Sequence, residues 1–326
     1  NFEPAAPTAS VQILSMATKS SDSNSGTKNE SDELIDQVDS LGIRDNESSR
    51  IDEKVIQGAS WIKESKNIMI LSGAGISCSA GIPDFRTPGT GLYDNLQKYD
   101  LPYPEAVFDV NFYRRKPEPF ISLAKELWPG LKHSPTITHS FISKLSHSGK
   151  LLRSYTQNID GLEHLAKIPD ELLVECHGHF RTASCIRCNA KMDGEKCKTI
   201  ILKTNNVPTC TKCNSYVKPD IVFFGENLPD RFDKLLKKDV GKADLLIVMG
   251  TSLTVAPVSL IPSFVSCRQI LINREKVGNF DSKHLALLGD CDEICLQLAS
   301  QLGWKQEVQE LNQETRVIKD NAPKEE

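Results

Sequence analysis

Four short apolar runs, each followed by a polar or glycine-containing turn, constrain the fold more than any other feature. They cover residues 67–72, 151–156, 243–249 and 268–273. Such uninterrupted runs are typical of strands buried on both faces of a parallel sheet. Helix-like spacing follows them, for example at residues 290–302. The order strand, turn, helix predicts an α/β fold with a doubly wound parallel sheet.

The length and net charge of the chain exclude some classes of protein. The chain has 326 residues, enough for about two domains. Its 39 Lys and Arg against 43 Asp and Glu give a net charge of −4, which argues against a dedicated nucleic-acid binder. No stretch approaches the roughly 18 apolar residues of a membrane helix, and no signal-peptide pattern is visible. We therefore expect no nucleic-acid or membrane partner and a cytoplasmic location.

Both ends of the chain are polar. Residues 1–50 are rich in Ser, Asn, Asp and Glu, which predicts a mostly disordered tail. Within them, residues 34–43 have apolar spacing that fits either a short docked helix or an export-type peptide. Residues 306–326 are again polar, and we expect a frayed helix and a tail there.

Two Cys-x-x-Cys pairs carry the strongest spacing signal. Cys185 and Cys188 are separated from Cys210 and Cys213 by the 21 residues 189–209, close to the spacing of a two-knuckle zinc module. Four thiolates complete a tetrahedral Zn²⁺ site, so the ion would be structural. Disulfides or a redox pair are the alternative. The other six cysteines are expected to be ordinary thiols in a reducing compartment.

A glycine-rich turn follows the first apolar run. Gly-Ala-Gly-Ile-Ser at 73–77 would let the backbone approach a pyrophosphate, although a purely structural turn fits it equally well. The next glycine, Gly81, departs from the G-x-G-x-x-G pattern and argues against a hydride-transfer enzyme. In Gly-Ile-Pro-Asp-Phe-Arg at 81–86, Arg86 could pair with a phosphate. A core role for Phe85 and a surface ion pair for Arg86 are the alternatives.

Polar residues also follow the later strands. Thr-Gln-Asn-Ile-Asp at 156–160 suits hydrogen bonding to a sugar and a carboxamide, and an Asx-turn that caps a helix is the alternative. Gly-Thr-Ser at 250–252 and Asn-Arg-Glu at 273–275 could bind phosphate or ribose, or could be ordinary loops. The Glu275 carboxylate favours NAD over NADP, and Arg274 beside it weakens that inference.

Two further segments are candidates for chemistry. Glu-Cys-His-Gly-His at 175–179 offers a general base, but spacing alone does not separate His177 from His179. The apolar segment 218–226 could be a core strand or an edge that pairs with an extended peptide substrate.

Taken together and in this order, these motifs resemble the sirtuin (Sir2-like) family of NAD-dependent protein lysine deacylases. The resemblance covers about residues 50–305. Residues 101–108 and 124–130 are similar to the class I branch, and residues 288–305 to its cytosolic sirtuin-two type.

The resemblance implies a Rossmann-like catalytic domain over residues 51–305. It also implies a helical module at about 87–150 and a small structural zinc module at about 180–220, both inserted in that domain.

The resemblance further implies the roles of individual residues. His177 would be the catalytic base, with Asn158 beside it; Gln157 and Asn158 would position the nicotinamide ribose and Asp160 the carboxamide. The other residues implied to bind NAD are Ala74, Gly75, Ile76, Ser77, Cys78, Asp84, Phe85, Arg86, Ile159, Gly250, Thr251, Ser252, Asn273, Arg274, Glu275 and Cys291. The acyl-lysine substrate would contact Val222, Phe223, Phe224, Gly225 and Glu226.

The implied reaction consumes NAD and yields deacylated lysine, nicotinamide and O-acetyl-ADP-ribose. Its partners would be acyl-lysine proteins or peptides, histone- or tubulin-like by resemblance, in the cytoplasm with shuttling to the nucleus left open. The alternatives are a protein ADP-ribosyltransferase and a non-enzymatic zinc-ribbon adaptor.

Overall fold

The computed structural model describes residues 43–82, 101–280 and 283–320. The predicted tail up to residue 42 and the candidate residues Asp84, Phe85 and Arg86 lie outside these ranges. The chain divides into two compact units, 1–53 and 54–326. In the first unit the described residues are helical, so a helix begins eight residues before the end of the predicted tail.

The elements are numbered here in chain order. The helices are α1 Ile43–Glu64, α2 Val110–Arg115, α3 Glu118–Leu127, α4 Ile137–His147, α5 Leu162–Leu165, α6 Gly194–Thr199, α7 Asp230–Asp239, α8 Ile261–Phe264, α9 Cys291–Gln301 and α10 Lys305–Asp320. The strands are β1 Ile68–Ser72, β2 Leu151–Thr156, β3 Leu173–Glu175, β4 Gly178–Cys185, β5 Lys191–Asp193, β6 Val217–Ile221, β7 Leu245–Met249, β8 Arg268–Asn273 and β9 Leu285–Leu288. Short 3₁₀ segments span Ala74–Ala80, Pro104–Phe108, Asp170–Leu172 and Val258–Leu260. Among these described helices, none has the length and apolar character needed to cross a membrane.

The main sheet is parallel throughout and confirms the predicted fold class. Its strand order is β3-β2-β1-β7-β8-β9, and β1 pairs with β2 on one side and with β7 on the other. The chain therefore reverses its direction of winding between β1 and β7. In open parallel sheets, ligands bind beyond the carboxyl ends of the strands at such a point.

Alternate residues of the strands enter two different cores, which explains the uninterrupted apolar runs. Ile68 and Ile70 of β1 pack with residues of α1, α4 and α9. Met69 and Leu71 face the opposite side, with residues of α7 and α8. All four are fully buried. Burial of each such side chain contributes about 1.5–3 kcal/mol to the free energy of folding.

The helical and zinc-module segments share a third core beside the sheet. Strands β5, β4 and β6 form a small antiparallel sheet, and α2 and α3 pack against it. Phe120 of α3 and Phe223 meet edge to face at 4.9 Å between ring centroids. The predicted helical module is too long, however. Phe141 of α4 lies in the main-sheet core, because the apolar face of α4 covers β2.

The predicted polar C-terminal tail also needs correction. Residues Lys305–Asp320 form α10, which packs against α4 and α9. Val308, Asn312 and Thr315 are buried on one face, at spacings of four and three residues. The Asn312 amide donates to the Pro135 carbonyl at 2.8 Å. Because this face is largely polar, the sequence pattern did not reveal it.

Candidate active site

A cleft of about 1280 Å³ opens beyond the carboxyl ends of the main-sheet strands. Its volume exceeds the roughly 300–1,000 Å³ typical of a pocket for one small ligand. The predicted residues that line it are Ala74, Gly75, Cys78, Gln157, Asn158, Ile159, His177, Val222, Phe223, Phe224, Gly225, Glu226, Gly250, Thr251, Ser252, Asn273, Arg274, Glu275 and Cys291. The structure thus brings together the turns after β1, β2, β7 and β8.

Gly73 and Gly75, in the turn after β1, have no room for a side chain because the turn after β7 packs against them. The Gly75 amide donates to the Gly250 carbonyl at 2.8 Å. A Cβ on Gly75 would lie 2.6 Å from the Gly250 Cα, and a Cβ on Gly73 would lie 2.8 Å from the Thr251 Cβ. Gly250 itself has φ +57°. Close packing of two backbones therefore accounts for Gly73 and Gly75 before any bound phosphate is considered.

Two polar side chains after β2 fasten that turn. The Asn158 amide donates to the Gly73 carbonyl and to the Ser77 hydroxyl, both at 3.2 Å. The Gln157 amide donates to the Thr251 hydroxyl at 2.9 Å. These bonds fix both side chains where they border the cleft.

Asp160 lies beside a second, smaller pocket of about 30 Å³, which shares Ala74, Asn158 and Ile159 with the cleft. The Asp160 carboxylate accepts hydrogen bonds from the Ser77 hydroxyl at 2.7 Å and from the Leu162 amide at 3.0 Å. The second bond is the Asx-turn considered as an alternative, so Asp160 both forms the turn that precedes α5 and borders this pocket.

His177 has the geometry of a base. Its Nδ1 lies 2.9 Å from the Gln157 carbonyl oxygen, to which it donates its proton. Its Nε2 is buried and has no hydrogen-bond partner among the described residues. Burial lowers the pKa of His177, against the opposing effect of the Gln157 bond. At neutral pH the imidazole is therefore uncharged, with a free Nε2 lone pair at the cleft.

His179 does not line the cleft, although it is only two residues away. Gly178 has φ +76°, and a Cβ there would lie 2.0 Å from the Asp220 carbonyl oxygen. This left-handed turn breaks the extended backbone, so the two imidazoles do not share a face. Burial lowers the pKa of His179, and its charged neighbours include Glu175 and Arg181. The geometry thus separates two histidines that spacing left equivalent.

The segment after β6, residues 222–226, is paired with another segment through its backbone and is held by an ion pair within the protein. Phe224 exchanges backbone hydrogen bonds with Phe108 and Val110. The Glu226 carboxylate accepts from the Phe223 amide at 2.8 Å and pairs with the buried Lys218 ammonium at 2.9 Å. The carboxylate of Glu226 is therefore engaged within the protein, although the residue borders the cleft.

The turn after β8 holds its own polar groups in place. The Asn273 amide donates to the Glu275 carbonyl at 2.9 Å. Arg274 pairs with Asp290 at 3.3 Å. The arginine charge next to Glu275 is thus partly offset by a carboxylate at the start of α9.

The four predicted zinc ligands form a compact cluster. The measured Sγ separations are 3.4 Å for Cys185–Cys213, 3.6 Å for Cys188–Cys210 and 3.5 Å for Cys188–Cys213. Thiolates around a tetrahedral zinc ion, with bonds of about 2.3 Å, lie about 3.8 Å apart. The Sγ atoms of Cys185 and Cys210 also accept backbone N–H bonds from the residues that follow them. All four thiols are unpaired, so the cluster fits one structural zinc ion and not disulfides.

Some predicted residues lie elsewhere, and some lining residues were missed. Ile76 is buried in the main-sheet core, and Ser77 acts on Asp160 and Asn158 from behind the cleft. Phe108 and the segment 254–257 line the cleft but were not predicted. Phe108 comes from a distant part of the sequence with no local signal. Val-Ala-Pro at 255–257 could have been found from the sequence, since it follows the predicted Gly-Thr-Ser turn.

Comparisons with known proteins agree on the family. A sequence model described as the Sir2 family matches residues 73–257, more than half of the chain. The chain is 47% identical over 279 residues to the NAD-dependent protein deacetylase sirtuin-2 of Danio rerio, covering 78% of this chain and 73% of that protein. It is 46% identical over 271 residues to the NAD-dependent protein deacetylase hst2 of Schizosaccharomyces pombe, covering 81% and 80%.

A third relative is much longer. The NAD-dependent deacetylase sir2D of Dictyostelium discoideum is 52% identical over 258 residues, covering 77% of this chain and 46% of that protein. The chain thus spans about half the length of this relative. The matched motifs, the parallel sheet with its cleft and the four-cysteine cluster together show that this chain belongs to the Sir2 family.

Proposed function

We propose that this chain is an NAD-dependent protein lysine deacetylase in which His177 is the catalytic base. The observation that carries the proposal is the His177 imidazole, which is neutral, fixed through Nδ1 and unpartnered at Nε2 beside the cleft. The curated relatives are named NAD-dependent deacetylases, which confirms the predicted enzyme class. Its substrates are acetylated proteins.

NAD is a substrate of this reaction and lies along the cleft. The turn at Gly75 holds the pyrophosphate through backbone amides, and Asn273 and Glu275 hold the adenosine half. Asn158 positions the nicotinamide ribose, and Asp160 accepts from the carboxamide in the smaller pocket. Support comes from the shared lining of the two pockets and from the fastening of Asn158 to the glycine turn.

The acyl-lysine lies along the segment after β6. Phe223 is packed in the core, and the Glu226 carboxylate is held by Lys218, so both support the segment from inside. Contact with the substrate is left to Val222, Phe224 and Gly225, of which Phe224 is 44% exposed. The Phe224 backbone is paired with Phe108 and Val110, and the Val222 amide donates to the His177 carbonyl. Pairing with an extended peptide is therefore left to the Val222 carbonyl and the Gly225 backbone.

The chemistry then follows from this placement. The acetyl-amide oxygen attacks C1′ of the nicotinamide ribose as the bond from C1′ to nicotinamide breaks. Positioning the two reactants supplies several kcal/mol of the barrier. His177 Nε2 accepts the proton of a ribose hydroxyl, and that oxygen attacks the former amide carbon. General-base help of this kind is worth roughly 10²- to 10⁴-fold. Water completes the release of lysine and O-acetyl-ADP-ribose.

The test is nicotinamide release by the full chain, combined with mass spectrometry of the peptide. Deacetylation requires both NAD and an acetyl-lysine peptide, and the peptide loses its acetyl group. A protein ADP-ribosyltransferase would add ADP-ribose to the acceptor, and a zinc-ribbon adaptor would release no nicotinamide. Growth of NADH absorbance would indicate hydride transfer and overturn the proposal.

Finer assignments rest on the resemblance to the cytosolic sirtuin-two branch. We infer histone- or tubulin-like acetylated substrates and a cytoplasmic location with shuttling to the nucleus. A panel of acetylated and longer acylated peptides, assayed for nicotinamide release, tests the first inference. Fluorescence imaging of the tagged chain, with nuclear export blocked and unblocked, tests the second.

A further inference from the structure

A buried group of titratable side chains lies behind Asp160. It consists of Asp160, Glu163 of α5 and His139 of α4, and one ligand atom from each lies within 4.8 Å of those of the other two. Glu163 is 1% exposed and His139 is fully buried. Glu163 Oε1 and His139 Nε2 have no hydrogen-bond partner within the described ranges. The proposed mechanism uses neither residue.

Ionisation of both Asp160 and Glu163 in this buried group would be unfavourable, because the two negative charges would repel each other. Both oxygens of Asp160 are engaged as acceptors, one from the Ser77 hydroxyl and one from the Leu162 amide. Glu163 is almost completely buried, and only hydrogen bonds from the Thr156 side chain and from its own backbone amide favour its charged form. Like charges at this separation in a dry environment favour one shared proton. The proton therefore belongs on Glu163.

We propose that Glu163 is a positioning residue that works as a protonated acid, and that with His139 it forms a neutral layer behind the Asp160 carboxylate. This inference rests on the proposed function, since it names what keeps the carboxamide acceptor charged and in place. A second negative charge at Glu163 would push a proton onto Asp160 or move it from its bonds to Ser77 and Leu162. Either change weakens binding of the nicotinamide half of NAD.

The groups that face Glu163 support this protonation state. Burial and the Asp160 charge raise the pKa of Glu163 to about 8. Burial lowers the pKa of His139, which keeps it neutral despite Asp160 and Asp292 nearby. Although burial opposes it, hydrogen bonding from Arg181, with the His164 imidazole 3.7 Å away, lowers the pKa of Glu175 to about 2, so it stays an anion facing Glu163.

Cys176, another titratable neighbour of Glu163 among the described residues, is fully buried, and that burial raises the pKa of its thiol. It therefore stays neutral, and no cation among these neighbours offsets an ionised Glu163.

The first test is the pH dependence of stability, which requires neither NAD nor activity. Glu163→Gln mimics the protonated acid, and Glu171→Gln replaces an exposed glutamate as the matched control. In the unfolded chain Glu163 ionises near 4.5, whereas in the folded chain it ionises near 8. The wild type therefore loses stability relative to Glu163→Gln as the pH rises between these values, and the Tm difference is constant above them.

The second test is kinetic. We expect Glu163→Gln to keep kcat/KM for NAD within about threefold of wild type at pH 7, and Glu163→Ala to lose about tenfold or more, mainly through KM. Above about pH 8 the wild type should lose kcat/KM along a limb that Glu163→Gln lacks.

Two results would overturn the inference. One is a Tm difference that does not change with pH while nicotinamide release is normal, which would leave the proposed function intact. The other is a second metal equivalent in the purified protein that Glu163→Gln loses, since a cation would keep Glu163 ionised. Absence of nicotinamide release with the predicted Tm profile would instead contradict the proposed function alone.

Discussion

The four-cysteine cluster and the cleft each bring together side chains from separate parts of the sequence, yet their polar atoms differ in how they are partnered. In the cluster, each Sγ faces the other three, which leaves no position for a substrate. In the cleft, His177 is held through Nδ1 while its Nε2 is left without a partner in the part of the chain that is described. The saturated set stabilises the fold, whereas the open Nε2 of His177 lies at the cleft and is available to a substrate.

The largest loss of stability should follow the removal of one cysteine from the four-cysteine cluster. Cys213→Ser removes one zinc ligand, and loss of the ion costs the module on the order of 10 kcal/mol. We expect loss of zinc, a strongly lowered Tm and, as a consequence, loss of activity. Zinc analysis and thermal unfolding measure this.

Cys197→Ser is the matched control, because Cys197 is buried in the same module but is not a member of the cluster. It should keep its zinc. A Cys213→Ser protein that lacks zinc but unfolds at the wild-type temperature would show that the cluster is not structural.

A smaller effect is expected where the cleft depends on close backbone packing. Gly75→Ala places a Cβ 2.6 Å from the Gly250 Cα. Such overpacking costs about 1–3 kcal/mol and displaces the turn that we propose binds pyrophosphate. Both the Tm and the NAD affinity, measured by calorimetry, should fall.

Gly241→Ala serves as its control, since no atom of the described residues, apart from its chain neighbours, lies within 4 Å of a Cβ at that position. If Gly75→Ala unfolds and binds NAD like the wild type, the packing argument for this turn is wrong.

The smallest effect is expected in the pH dependence of kcat/KM, which depends on the protonation of His177. Burial lowers the pKa of His177 from 6.5, and protonation of Nε2 removes the base. The acid limb of kcat/KM should therefore lie below pH 6.5, with the imidazole active throughout the neutral range. A limb at or above pH 6.5 that disappears in a His177 variant would contradict the neutral, buried imidazole.

The parts of the fold that follow local rules were predictable from the sequence. The predicted strands at 151–156 and 268–273 coincide with β2 and β8, because each carries apolar side chains that enter the cores on both faces of the sheet. The cysteine cluster was predictable because its spacing encodes its geometry.

The parts that depend on distant contacts were not predictable. The buried face of α10 includes Asn312 and Thr315, whose partners lie far away in sequence, so a packed helix looked like a polar tail. The distinction between His177 and His179 depends on the left-handed turn at Gly178. The ion pair of Glu226 with the buried Lys218 likewise has no signal in the local sequence pattern.

The most direct test compares His177→Ala with His179→Ala in nicotinamide release from NAD and an acetyl-lysine peptide. We expect His177→Ala to lose roughly 10²- to 10⁴-fold in kcat/KM, and His179→Ala to stay within about threefold of wild type. Both should retain zinc and NAD binding. Full activity in His177→Ala, or an equal loss in His179→Ala, would contradict the assignment of the base.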